Sequence, residues 1–250
     1  MAAWALAFRG SADGARDHLL SAIRMSRESD FKENLGWALG TVPMFARLRG
    51  APAAGLPEPR SAALEALEIA EGLASSYSRA EATRCLALAQ LAAGSFAEAA
   101  HSAGEALALV REHETAREYE ASVLSFRAEA LTALGDAAGA LPLAREAVAL
   151  AAAQPSLAYG VDACCALAQA LLASEGAAAR AEVEAALTQA FTWLDESGAE
   201  ALRPRVLEAR AALAAALGDE DARARDLAEA LRLYRAIGAE GHAARLAGAS

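Results

Sequence analysis

The stretch Gly94-Ser95-Phe96-Ala97-Glu98-Ala99-Ala100-His101-Ser102-Ala103-Gly104-Glu105-Ala106-Leu107-Ala108-Leu109 decides the fold. A glycine able to end one helix is followed by a serine able to cap the next, and Ala99 and Ala106, two helical turns apart, share one face. Small residues on one face let a second helix approach closely. The stretch therefore reads as the turn and second helix of an antiparallel helix hairpin.

Its closing pattern of alanine, large apolar, any residue, large apolar recurs along the chain. It stands as Ala22-Ile23-Arg24-Met25, Ala66-Leu67-Glu68-Ile69, Ala147-Val148-Ala149-Leu150, Ala190-Phe191-Thr192-Trp193 and Ala230-Leu231-Arg232-Leu233. With Ala106 in place the steps are 44, 40, 41, 43 and 40 residues, a period that identifies a repeat architecture. A glycine stands 12 to 14 residues before five of the six (Gly10, Gly94, Gly135, Gly176, Gly218). First helices are expected at 1–9, 30–49, 77–93, 116–134, 157–174 and 199–217, and second helices at 12–28, 59–74, 96–113, 137–153, 178–196 and 220–237. Ser95, Asp136 and Asp219 are expected N-caps, Pro155 and Gly238 close helices, and 238–250 forms a tail or short cap helix. The run from Arg49 to Pro59, with three prolines and two glycines, is expected as an exposed longer turn. Each hairpin must lean on its neighbours to bury its apolar face, so residues 1–250 are expected to form one all-α solenoid of about five and a half hairpins.

Composition agrees. Of 250 residues 55% are hydrophobic and only 5% aromatic, with alanine and leucine dominant and β-branched residues too sparse for a large sheet. A net charge of −10 disfavours direct contact with nucleic acid. No run of 18 apolar residues occurs, and no membrane span is expected. Cys85 and the adjacent Cys164 and Cys165 form no spaced framework, which points to a reducing cytoplasm. Lys32 is the only lysine, an arginine bias that points to GC-rich coding and a bacterium.

The positions Ala3, Ala87, Ala128 and Ala211, each seven before a turn glycine, together with Gly94, Ala99 and Ala106, and Gly135, Ala140 and Ala147, resemble the tetratricopeptide family over nearly the whole chain. Departures are Pro43 and Gln169 at the first-helix small position, Arg223 at a second-helix alanine, and a period longer than the family's. The long helices and the ending Glu229 to Ala239 are similar to the C-terminal regions of bacterial LuxR-type ATPase regulators or adenylate cyclase-linked ATPases. The resemblance implies a right-handed superhelix and a non-catalytic protein-interaction or regulatory module, relaying partner binding to a linked signalling or transcriptional domain. It also implies that first helices line the concave groove, with Trp37, Met44, Arg47, Glu81, Arg84, Leu88, Ser122, Ser125, Glu129, Arg205 and Glu208 facing a protein or peptide partner. The alternative is a small-molecule effector inside the superhelix, with Trp37, Trp193 or Tyr159 as stacking groups. Trp4 and Phe8 are expected to lie uncovered, which suggests a polypeptide extending before Met1 or a homodimer through the terminal repeats.

Catalytic chemistry finds no footing in the residue inventory. Lys32 follows no glycine-rich turn, so a P-loop is excluded. His18, His101, His113 and His242 lack a second ligand at helical spacing, and no metal or cofactor is expected. The acidic clusters Glu112/Glu114 and Asp219-Glu220-Asp221 read as favourable helix ends or solvated surface.

Overall fold

Alanine-rich segments lose little side-chain entropy on becoming helical, and the described residues are helical almost throughout. The structure, a computed structural model, describes residues 6–154 and 157–248; Ala3, Trp4 and Pro155 lie outside the described residues. Among these residues there are no strands, and the helices are α1 (Ala12–Glu28), α2 (Lys32–Arg49), α3 (Pro59–Gly72), α4 (Ser76–Ala92), α5 (Phe96–Glu112), α6 (Glu120–Ala133), α7 (Ala137–Ala153), α8 (Leu157–Glu175), α9 (Arg180–Ser197), α10 (Arg203–Leu217), α11 (Glu220–Ala236) and α12 (Glu240–Gly248). Helices α2/α3, α4/α5, α6/α7, α8/α9 and α10/α11 pack as hairpins, and each hairpin stacks on the next. The result is an all-α, solenoid-like array. Short 3-10 turns at Arg117–Tyr119, Gly176–Ala179 and Glu200–Leu202 lead into α6, α9 and α10.

The turn chemistry repeats as the period does. The amides of Ser11, Ser95, Asp136, Asp219 and Ala239 each reach back five residues, to the carbonyls of Leu6, Gln90, Leu131, Ala214 and Tyr234, at 2.8–2.9 Å. This is the Schellman closure, which needs a left-handed residue just before the donating amide. Gly94 (φ 75°) and Gly135 (φ 84°) supply it in open space, so backbone conformation alone explains these glycines. Capping is less uniform: Asp136 and Asp219 accept from the amides of Gly139 and Ala222 at 2.9 Å, whereas Ser95 makes no side-chain cap, contrary to the expectation. Glu58 caps α3 instead, accepting from the amides of Arg60 and Ser61 at 3.0 and 2.7 Å. Pro43 does not interrupt α2.

Burial separates two kinds of helix. On α7 only Ala140, Ala144, Ala147 and Ala151 are buried, a single stripe at spacings of four, three and four. On α4 every residue from Ala82 to Leu91 is buried, so both faces of that helix are covered. The first helices of the hairpins form an inner layer and the second helices an outer one.

The ends of the array meet. Helix α12 packs on α2, with His242 Nε2–H donating to the Arg47 carbonyl at 2.8 Å and its ring stacked on Tyr234, centroids 4.6 Å apart. Gly241 lies against the Gly50 carbonyl so closely that a Cβ there would overlap it. Ile237 covers Gly10. Phe8, expected to be uncovered, is instead buried in a cluster with Met44 and Leu48, because α1, α2 and this closure surround it.

The most apolar stretch lies within Leu157–Ser197, where one window reaches a mean hydropathy of 1.4 and 61% of it is buried. The Gly176–Ala179 turn breaks that stretch into α8 and α9, which pack together, so its apolar character is accounted for by the core.

Candidate functional site

Residues three or four apart on a helix share a face, as Arg205 and Glu208 do on α10, and each of three other inner helices adds one charge at the centre. Arg47 on α2, Glu129 on α6, Asp162 on α8 and Arg205 on α10 converge there. Glu129 Oε2 accepts from Arg47 Nη2 and from Arg205 Nη2, both at 2.6 Å. One carboxylate thus ties three hairpins together. The Arg47 guanidinium also lies over the Phe126 ring, 5.5 Å from its centroid. Burial opposes the charged form of Glu129, but attraction from Arg205 and Arg47 and their hydrogen bonds overcomes it and holds the carboxyl down at about 2.

Asp162 is placed differently. Its side chain is 4% exposed, and Oδ1 lies 3.4 Å from Arg205 Nε and 3.8 Å from Arg47 Nη2. Neither contact has hydrogen-bond geometry, so Oδ1 receives no hydrogen bond from any described group, and Arg205 Nε likewise makes none. Beside this cluster Glu208 on α10 accepts from the Tyr234 hydroxyl at 2.6 Å and from Arg245 Nη2 at 2.7 Å. Burial lowers the pKa of His242 below its ordinary value, with Arg245 and Arg205 adding to the effect.

These groups line a cavity of about 690 Å³ between α2, α10 and the closing helix α12. Met44, Leu48, Leu91, Leu202 and Ala209 supply apolar walls. Four carboxylates (Glu58, Glu129, Asp162, Glu208) face three guanidiniums (Arg47, Arg205, Arg245). A space of this size, apolar with a few convergent polar groups, has the character of a small-molecule site.

Of the residues expected in the groove, Met44, Arg47, Glu129, Arg205 and Glu208 are brought together around this cavity. The others are not. Arg84 is 1% exposed, and Leu88, Ser122 and Ser125 are fully covered, so in this conformation they are sealed from a partner by the inner-layer packing. Glu81 sits beside Arg84, 3.4 Å from its Nη2, away from the cavity. Arg84 lies over the Tyr119 ring at 4.5 Å, and its Nε and Nη1 make no hydrogen bond. Trp37 is 47% exposed on α2 and lines no part of the cavity. Trp193 is buried against Gly160, and Tyr159 packs edge-on to Tyr119, so neither offers a ring to the cavity.

Sequence reasoning missed Asp162, Gln169, Tyr234, His242 and Arg245 as lining residues. Asp162 carried a signal: it is the only charged residue between Leu157 and Ser174, in an otherwise apolar helix. Tyr234, His242 and Arg245 carried none, because only the closure of the array brings them inward.

No protein-family profile matches this sequence, and no curated protein matches it. Among solved structures, the crystal structure of BtubC (BKLC) from P. vanneervenii aligns over 92% of this chain and 92% of its own, with a TM-score of 0.59 and 16% identity. The likeness is one of fold.

Proposed function

We propose that this chain is a non-catalytic effector-binding module of tetratricopeptide-like type, taking a small ligand into the interior of its superhelix and relaying occupancy to a linked or partner domain. The observation that carries this reading is the cavity, walled by both ends of the array and lined by side chains from α2, α6, α8, α10 and α12. Only the closed arrangement assembles that wall, so a bound ligand would favour closure, and closure is a change a neighbour can read. The paired charges at its centre hold one another in place, which suits recognition more than proton transfer. Three buried free cysteines fit a reducing, cytoplasmic setting.

A second reading, docking of a protein partner, has its own observation. Trp37 and Leu73 are both exposed and line one shallow depression between α2, α3 and α4.

The first reading is tested by thermal denaturation of the purified chain with fractions of a small-molecule extract. A ligand at a hundredfold its Kd should stabilise by about 2.7 kcal/mol, raising Tm by roughly 5–10 °C. Ala212→Trp, which fills the mouth of the cavity, should abolish the shift. A shift undiminished in that variant would contradict the cavity reading.

A further inference from the structure

We propose that the ligand of this cavity is a small molecule carrying a protonated amine, whose ammonium is held by the Asp162 carboxylate. The proposal rests on the cavity reading above and names its chemistry.

Among the carboxylates on the cavity wall, Asp162 is the one with a buried oxygen that accepts no hydrogen bond. Its neighbours, Arg47 and Arg205, both give their short contacts to Glu129 and leave Asp162 with charge attraction at 3.4 and 3.8 Å. A buried carboxylate oxygen without a donor forfeits the hydrogen bonds it had in water, a cost that a donor in the cavity would repay. An ammonium brings three donors and a charge of the right sign.

The surroundings select against the opposite charge. Each guanidinium on the cavity wall already has a carboxylate partner, and the carboxylates outnumber the guanidiniums by four to three. An anion would meet net repulsion, whereas the overall charge of −10 steers cations toward the protein. Gln169, seven residues after Asp162 and therefore on the same face of α8, adds an amide that can both donate and accept. Arg205 Nε offers a donor to a second polar group. Met44, Leu91 and Leu202 can cover an alkyl or ring body. The geometry suits an amine with a short apolar body and a second, accepting group.

Isothermal titration calorimetry of the intact chain tests this, with ethanolamine, tyramine and arginine as amines that also carry an accepting oxygen, and with citrate and glucose as anionic and neutral controls. At least one amine should bind saturably at one site, and citrate should not. Asp162→Asn should weaken amine binding at least tenfold with an unaltered circular dichroism spectrum, while Asp162→Glu, which keeps the charge, should bind better than Asp162→Asn. Amine binding unchanged in Asp162→Asn, or no binding by any of the three amines, would overturn the proposal. Citrate or glucose binding that Ala212→Trp abolishes would also overturn the amine class, yet leave the cavity reading standing. Silence from every probe, with no extract fraction raising Tm, would remove both.

Discussion

The middle of the array and the seam where its ends meet are held by different physics. From α4 to α9 the hairpins bury alanines against alanines and leucines, as at Ala87, Ala128, Ala163 and Ala168, none of which is exposed. At the seam, between α2 and α12, the contacts include one histidine–carbonyl hydrogen bond, one long ion pair between Arg49 and Glu240 at 3.9 Å, and two glycines in backbone contact. The middle is a sum of neighbouring interfaces, each encoded within one period of sequence. The seam joins residues 195 apart and belongs to no period. It therefore sits at the low-stability end of the molecule, where opening costs least.

The largest test of this contrast lies on the bridge between the two regions. Glu129→Ala leaves Arg47 and Arg205 facing each other with only Asp162 nearby, and should cost about 3–5 kcal/mol, measured by denaturant unfolding. The same group has an acid signature. Its folded pKa of about 2 lies below the ordinary 4.5, so its contribution is complete above pH 4.5 and is lost as pH falls through about 2. In Glu129→Ala that part of the acid slope should disappear; an unchanged slope would show that the network does not hold Glu129 ionised.

Gly241→Val strikes the seam alone. A side chain there meets the Gly50 carbonyl, and relief by separation should cost about 1–3 kcal/mol while helicity is kept. Limited proteolysis should show faster cleavage near 50–58 with the α4–α9 stack intact. Loss of all helicity would mean that the seam is part of the cooperative core.

Arg84 sharpens the opposite side of the comparison. It lies deep in the stack with two guanidinium nitrogens unbonded and Glu81 as its ion-pair partner, an arrangement that apolar packing can match. The double variant Arg84→Met with Glu81→Gln should unfold within about 1 kcal/mol of the parent, whereas Arg84→Met alone should be less stable because Glu81 loses its countercharge. Equal losses in the two would refute this view of the pair.

The smallest effect is at His242. Its folded pKa is lowered from 6.5 by burial, so the neutral ring contributes stability above pH 6.5 that is lost on acidification below it. His242→Phe should flatten that part of the pH dependence. Parallel curves for the two proteins would show that the ring's charge does not reach the seam.

The contrast also explains what could be read from the sequence. Period, turn glycines and alanine faces are local or repeat at fixed spacing, and the expected helices from 12–28 to 220–237 match α1 to α11 to within about three residues at most ends. The 3-10 turns before α6 and α10 fall inside the helices expected at 116–134 and 199–217, since the residues preceding them carry no cap that distinguishes the two. The site was half legible: Arg47, Glu129, Arg205 and Glu208 are among the positions that the tetratricopeptide resemblance turns inward, and they line the cavity. The same mapping placed Arg84, Leu88, Ser122 and Ser125 in an open groove, although neighbouring layers cover them. How tightly a superhelix curls depends on small rotations accumulated over every repeat, and no single residue states it. Gly241 was the nearest thing to a sign, a glycine in the first turn of α12 with no local need for it.

Small-angle X-ray scattering of the intact chain in solution measures the closure directly. A closed array of 250 residues should give a radius of gyration near the compact-domain value of about 18 Å, with Gly241→Val visibly larger. A monomer already well above that value, and unmoved by Gly241→Val, would mean that the ends stand apart and the cavity does not form.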